Sequence, residues 1–356
     1  MKSPDKIKHD ITTVLGRDVH EIVRKYSDKE KYDNYRKLFE KAKNLEIVPD
    51  YPIQIDFELN YSCNFSCSMC TWSAENTKGR GKNTWFDIKA FKEIVDEGVE
   101  KGLKCIRLNY INEPLIRKDI IEFISYAKKK GVLDIYLSTN GSLLTPKISK
   151  ELIDSGLTRI QVSIDAFTKK TFDKIRQGGD FKKVVKNTEN FIKLRNSLNK
   201  ELPTVRVNFV KTNINEMELD DFIKSWENKA DSIGVQDLID IMNVEDNAEK
   251  KTNKKFSCNQ PFYHLTVRYD GSVLPCCTFY SAKLPISKLK VNENVKLSTS
   301  ENLHNLKQKL TQRTIEETWK SDEIQYLRSI HKKGDFFKNK VCNECVKSMS
   351  NFDETL

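Results

Sequence analysis

Tyr61-Ser62-Cys63-Asn64-Phe65-Ser66-Cys67-Ser68-Met69-Cys70-Thr71-Trp72 sets three cysteines at C-x3-C-x2-C spacing. Directly before it, Ile53-Gln54-Ile55-Asp56-Phe57-Glu58-Leu59 is apolar at alternate positions, the period of a strand. Three thiols therefore stand on a loop at the carboxyl end of a strand. Thiolates are soft ligands suited to iron–sulfur clusters, zinc and Cu(I). Three local ligands leave one metal position open, and an open position is what lets a metal bind substrate or cofactor. A zinc knuckle would want a nearby His or fourth Cys, and none follows before Cys105. A disulfide with one spare thiol is disfavoured in a chain without a secretory signal.

The whole chain narrows the choice further. Its 356 residues suit one large domain with an appendage, or two domains. Lys+Arg 61 against Asp+Glu 51 gives +10, but the charges are interspersed rather than clustered into a nucleic-acid footprint. A basic face could still favour an acidic electron-donor protein or a phosphorylated substrate. No apolar run reaches membrane-span length, and Met1-Lys2-Ser3-Pro4-Asp5-Lys6 lacks an apolar core for a signal peptide. A cytoplasmic location is expected, where nine cysteines point to metal rather than disulfides.

Residues 1–50 read as a helical extension with scattered apolar positions such as Ile11, Val14, Ile22, Tyr26, Tyr35 and Leu38. From Tyr51 to about Asp240 strand and helix patterns alternate, with strands expected at Ile53–Leu59, Cys105–Asn109, Leu133–Ser138, Arg159–Ile164, Val205–Val210 and Ser232–Leu238. That alternation argues for a parallel sheet with right-handed crossovers. Residues 281–312 read as a polar linker or mobile loop, and Glu316 to Ile330 as a helix.

The cysteine loop resembles the signature of the radical S-adenosylmethionine (SAM) enzymes. The residue before the third cysteine is usually aromatic in that family; here it is Met69, whose thioether can also lie against a purine. The resemblance implies an α/β fold, a partial (β/α)6 TIM-type barrel over residues 51–240. In such barrels the chemistry gathers at the carboxyl ends of the strands. It also implies a four-iron, four-sulfur (4Fe-4S) cluster on Cys63, Cys67 and Cys70 that chelates SAM. Tyr110-Ile111-Asn112-Glu113-Pro114 is similar to the family's Gly-Gly-Glu-Pro motif, with Asn112 in place of the second glycine. Glu113 would then receive the SAM ammonium. Ser138 and Asn140, in Ser138-Thr139-Asn140-Gly141, are candidate contacts after the third strand. Ser163 and Asp165 share one strand face, and the resemblance gives them the ribose or carboxylate of SAM. Arg176 would pair with the SAM carboxylate. The glycine-rich basic loop Thr77–Asn83 would cover the site or remain plain solvated loop.

A second set follows. Cys258, twelve residues, Gly271, four residues and Cys276 precede Cys342-Asn343-Glu344-Cys345. Tyr269-Asp270-Gly271 between two short apolar runs signals a hairpin. By spacing alone four thiolates would hold a cubane cluster or a structural zinc equally well. The pattern resembles the SPASM/twitch extension of radical SAM enzymes, which would make residues 241–356 an auxiliary-cluster domain and give two 4Fe-4S clusters in all. Cys277 should point away from that metal, because adjacent strand residues face opposite sides. Cys105 reads as core, and the histidines, His264 included, show no metal spacing. The resemblance implies reductive cleavage of SAM to a 5′-deoxyadenosyl radical, with flavodoxin or ferredoxin as reductant. The substrate would be a sugar-like or aminocyclitol small molecule undergoing oxidation, or a peptide undergoing modification; a non-enzymatic electron-transfer protein is the third reading. No residue is singled out as catalytic acid, base or hydrogen donor.

Overall fold

The computed structural model describes residues 12–70, 84–239, 256–298 and 310–348. Six strands, β2 (Gln54–Phe57), β3 (Cys105–Arg107), β4 (Asp134–Thr139), β5 (Arg159–Ser163), β6 (Thr204–Lys211) and β7 (Ser232–Asp237), pair in parallel in chain order. Helices α3 (Ile88–Lys101), α4 (Ile120–Lys130), α5 (Pro146–Asp154), α6 (Lys169–Ile175), α7 (Phe181–Ser197) and α8 (Leu219–Trp226) form the crossovers. Their ends follow local chemistry. Asp87 caps α3 through Lys89 N–H, Thr145 caps α5 with Pro146 behind it, and Gly131 closes α4 in a left-handed turn. This is the partial barrel.

The two faces of the strands differ sharply. Ile55, Phe57, Ile106, Ile135, Leu137, Ile160, Val162, Val205, Val207 and Phe209 join the helices in one apolar core. The alternate positions face the lumen and are polar: Gln54, Asp56, Arg107, Tyr136, Arg159, Gln161, Ser163, Arg206 and Asn208. Charges so enclosed must be paired. Arg107 pairs with Asp56, and Arg159 Nε donates to Asp134 Oδ1 at 2.8 Å.

Both ends of the barrel sheet are extended. β1 (Thr12–Gly16) adds antiparallel to β7, so the amino-terminal segment holds a strand as well as helices. This corrects the all-helical expectation: the strand is five residues long, largely exposed, and its partner lies far along the chain. Helices α1 (Val19–Lys25) and α2 (Lys29–Lys43) then close the amino-terminal mouth of the barrel. Val23, Tyr32 and Tyr35 bury against Ile53, Cys105, Tyr136 and Tyr263, and Tyr35 O–H donates to Asp134 at 3.3 Å. On the other side β8 (His264–Val267) runs parallel to β2 and turns through the expected hairpin into β9 (Ser272–Leu274). The stretch expected as linker contains β10 (Ser287–Leu289) and reaches β11 (Gln312–Arg313). The expected single helix is two, α9 (Ile315–Trp319) and α10 (Asp322–Lys332), and α11 (Lys340–Lys347) follows.

Asp134 is fully buried; burial alone would raise its carboxyl pKa, but the Arg159 guanidinium outweighs this and holds it below the ordinary range. Asp134→Ala strands a buried cation and should cost about 3–5 kcal/mol. Urea unfolding measures this, and an unchanged midpoint would remove the pair from the fold's stability.

Candidate metal centres

The cysteine loop leaves β2 and is fastened to the turn after α6. Ser66 N–H donates to Gln177 O at 2.7 Å and Ser68 N–H to Ile175 O at 2.9 Å. Gly179 permits this approach, since a Cβ there would meet the Phe65 ring at 2.6 Å. Cys67 is buried and Cys63 and Cys70 are half-buried. Burial pushes the Cys63 thiol up to about 12, helped by the nearby Glu113, Cys67 and Cys70. Thiolates gathered here need a cation, which bound iron supplies. Met69 is half-buried on the same loop.

The Glu113 carboxylate is held in place by protein donors. It accepts from Leu115 N–H (3.1 Å), Thr139 Oγ1 (2.7 Å) and Asn140 N–H (2.7 Å). Burial raises its pKa to about 7 against those three bonds. It ties the loop after β3 to the loop after β4. Asn112, the departure from glycine, braces the same region. Its Nδ2 donates to Asn60 Oδ1 at 2.6 Å, and Asn60 reaches the Ser62 and Glu113 carbonyls. Asn140 likewise faces the cysteine loop, donating to Asn64 Oδ1 at 2.9 Å.

Asp165 takes a left-handed backbone (φ 60°) at the end of β5, and its carboxylate accepts from Val210 N–H at 2.7 Å and from Arg176 Nε at 2.6 Å. Arg176 Nη1 in turn donates to Cys67 Sγ at 3.5 Å. Asp165 thus aims Arg176 at Cys67. Ser138 Oγ donates to Gln161 Oε1 at 3.2 Å, while the half-buried Ser163 hydroxyl has no hydrogen-bond partner among the described residues. Of the expected cofactor contacts, Ser163 keeps its side chain most available. The loop Thr77–Asn83 lies outside the described residues.

Cys258, Cys276, Cys342 and Cys345 line one small cavity with Phe256, Tyr280 and Val346. Burial pushes every one of these thiols up. His331, given no role by its spacing, also lines this cavity. Cys258 N–H donates to its Nδ1 at 3.3 Å, and its Nε2 lies 3.4 Å from Cys342 Sγ. With Nδ1 accepting, a neutral ring carries its hydrogen on Nε2 and donates to the sulfur. Two sequence-distant cysteines meeting one buried histidine is not a pattern that spacing reveals. Cys277 instead faces a larger chamber inside the barrel, beside Arg107 and Thr278.

Among the described residues, Asp56, His264 and Cys277 are the group of three potential ligands whose donor atoms all fall within 4.8 Å of one another. Arg107 already fills that spot as a cation, paired with Asp56. Neither cysteine set is so tight. Tetrahedral zinc with Zn–S near 2.3 Å would hold its sulfurs about 3.8 Å apart, closer than either set is placed here.

The two halves are joined. Arg268 at the end of β8 donates to Glu58 Oε2 at 2.8 Å and lies 5.3 Å from the Tyr61 ring centroid. Tyr110 O–H donates to Thr278 O at 2.6 Å.

The Radical SAM superfamily model matches residues 57–224, and a SPASM iron–sulfur cluster-binding domain model matches residues 258–346. The chain is 31% identical over 181 residues to the GTP 3′,8-cyclase of Alkaliphilus oremlandii (strain OhILAs), covering 50% of this chain and 54% of that one. It is 30% identical over 177 residues to the mycofactocin maturase MftC of Mycolicibacterium smegmatis (strain ATCC 700084 / mc(2)155), covering 49% and 41%. The chain thus spans about half the length of the curated relatives it matches. The crystal structure of Streptococcus suis SuiB bound to precursor peptide SuiA shares the fold at TM-score 0.57 and 15% identity, covering 89% of this chain and 81% of that one. No helix among the described residues is long and apolar enough to cross a membrane.

Two outcomes are expected. Glu113→Ala leaves three donors without their acceptor and should cost roughly 1–3 kcal/mol per unmatched group, read by urea unfolding. A wild-type midpoint would show that these bonds add nothing to stability. His331→Phe should keep the iron content but lower the reduction potential of the second cluster, because an N–H donor to a ligand sulfur favours the reduced form. Redox titration followed by electron paramagnetic resonance reads this, and an unchanged potential would leave His331 a packing residue.

Proposed function

We infer the reaction from one premise: the chain belongs to the radical SAM superfamily and carries a SPASM iron–sulfur cluster-binding domain. Its class uses a 4Fe-4S cluster and SAM, with further iron–sulfur in the SPASM domain. Cys63, Cys67 and Cys70 would hold the cluster, which would supply the one-electron reduction of SAM that yields a hydrogen-abstracting 5′-deoxyadenosyl radical. We propose that the substrate is a sugar-like or aminocyclitol small molecule and that the outcome is dehydrogenation. An alcohol carbon then gives one hydrogen atom to the radical, and afterwards one electron and one proton.

The chain's own residues support this in three ways. Asn112, Glu113 and Asn140 hold the cysteine loop by the bonds described above, and Arg176 donates to Cys67. Ser163 keeps a hydroxyl for SAM. The barrel lumen holds a chamber of about 740 Å³, within the small-molecule range, with Gln54, Gln161, Gln236 and Tyr136 offering polar contacts to hydroxyl groups.

The observation that carries the oxidation is the Cys276-Cys277 dipeptide. Cys276 lines the second metal cavity while Cys277 lines the chamber. An electron leaving a substrate in the chamber would cross one peptide unit of wall to reach the second centre. The reductant would be a flavodoxin or ferredoxin.

The test begins with metal content. Anaerobic reconstitution should give about eight irons per chain, and joint replacement of Cys63, Cys67 and Cys70 by Ala about four. Cys342→Ala, once shown to be folded, should retain reductive SAM cleavage with dithionite and lose substrate oxidation. Equal loss of both would make the second centre an electron entry relay or a staple, and retained oxidation would remove it from the reaction. A mass change on a peptide in place of a small molecule would replace the substrate class with a peptide.

A further inference from the structure

Resting on that reading of the chamber as the substrate site, we propose that the chamber selects a substrate bearing an anionic group, and that Arg206 with Arg159 receives it. Five arginines line the chamber, and three of them, Arg107, Arg159 and Arg206, stand on barrel strands. Arg107 is spent on Asp56 and Arg159 on Asp134. Arg206 meets hydroxyls alone: its Nε donates to Ser232 Oγ at 3.3 Å, and its Nη2 bonds Thr13 Oγ1. No carboxylate among the described residues lies within ion-pair distance of it. Asp18, which also lines the chamber, is occupied by the His20 and Glu21 N–H groups at the start of α1.

Of the five arginines that line the chamber, Arg17, Arg36, Arg107 and Arg159 each pair with a carboxylate among the described residues, and Arg206 does not. Burial, and then the Arg159 charge, push Arg206 down to about 10, so the side chain stays charged at neutral pH while its environment resists the charge. Arg206 is half-buried, and a partly desolvated cation without a carboxylate partner is favoured by an incoming anion. Guanidinium is the side chain best matched to carboxylate or phosphate oxygens, with a free edge for two parallel bonds.

Position supports the assignment. β5 and β6 are neighbours, with Arg159 beside Thr204 and Gln161 beside Arg206, so both cations project into one side of the lumen. Arg206 lies two residues along β6 from Thr204, the position that aligns through Arg159, Tyr136 and Arg107 with Asp56 of β2, the strand that leads into the first cysteine set. The anion anchors one end of the substrate, and the reacting C–H bond stands at the other.

The experiment is isothermal titration of the anaerobically reconstituted full chain with inorganic phosphate and, separately, with acetate, at constant ionic strength. Saturable one-site binding is expected in the wild type. Arg206→Gln should weaken it roughly ten- to hundredfold, and Arg206→Lys should keep most of it. Phosphate binding more tightly than acetate identifies a phosphoryl substituent, and the reverse a carboxylate; both support the proposal. Absence of saturable binding by either anion, or equal binding in Arg206→Gln, overturns it. Should Arg206→Gln fail to fold, phenylglyoxal labelling of the wild type decides: phosphate must shield Arg206, and an unshielded Arg206 overturns the proposal. Substrate-independent SAM cleavage, assayed on the same preparations, reports separately on the radical reading.

Discussion

Cross-strand pairing of carboxylates with guanidinium groups is the constraint on which this barrel rests. A lumen lined by alternate polar residues puts charge where water is scarce, and every such charge needs a partner. Asp56 with Arg107, Asp134 with Arg159 and Glu58 with Arg268 meet that need, while Asp165 with Arg176 and Asp231 with Arg195 do the same at the two ends. These pairs do more than hold strands. Glu58–Arg268 joins the first strand of the barrel to the domain carrying the second cysteine set. Asp165–Arg176 carries a barrel strand end to Cys67. The polar lumen suited to a hydrophilic substrate is thus the same feature that organises the metal loops around it.

Much of this was legible in the sequence because it is written locally. A strand of period two followed by closely spaced cysteines, and six alternations of strand and helix, give a parallel sheet and its first metal loop without any long-range information, and the barrel came from the family resemblance. The second cysteine set was legible by spacing around Gly271. Cys276 and Cys277 do line different cavities, but they stand in a bend past the end of β9, so strand alternation is not what separates them.

What was not legible depends on residues far apart in the chain. The bonds that Glu113 accepts from Thr139 and Asn140 join two loops that lie far apart in sequence. Asn112 looks like a defect in a glycine motif, yet it clamps Asn60. His331 has no neighbouring ligand in sequence and meets Cys258 and Cys342 only through folding. The chamber is invisible for the same reason: its wall is assembled from one residue in two along several strands, and its floor comes from α1 and α2.

The edge strand β1 carries a consequence for the order in which the molecule forms. Thr12 finds its partner at Val235, so the first strand made is among the last that can pair. During synthesis the amino-terminal helices emerge with Val23, Tyr32 and Tyr35 exposed, and the strands that bury them arrive later. Contacts of such long sequence separation are slow to form and leave the nascent chain open to aggregation. The barrel's lower mouth is therefore sealed only after the ribosome has released β7, and a chaperone that shields the first fifty residues would act at the step where this chain is most vulnerable.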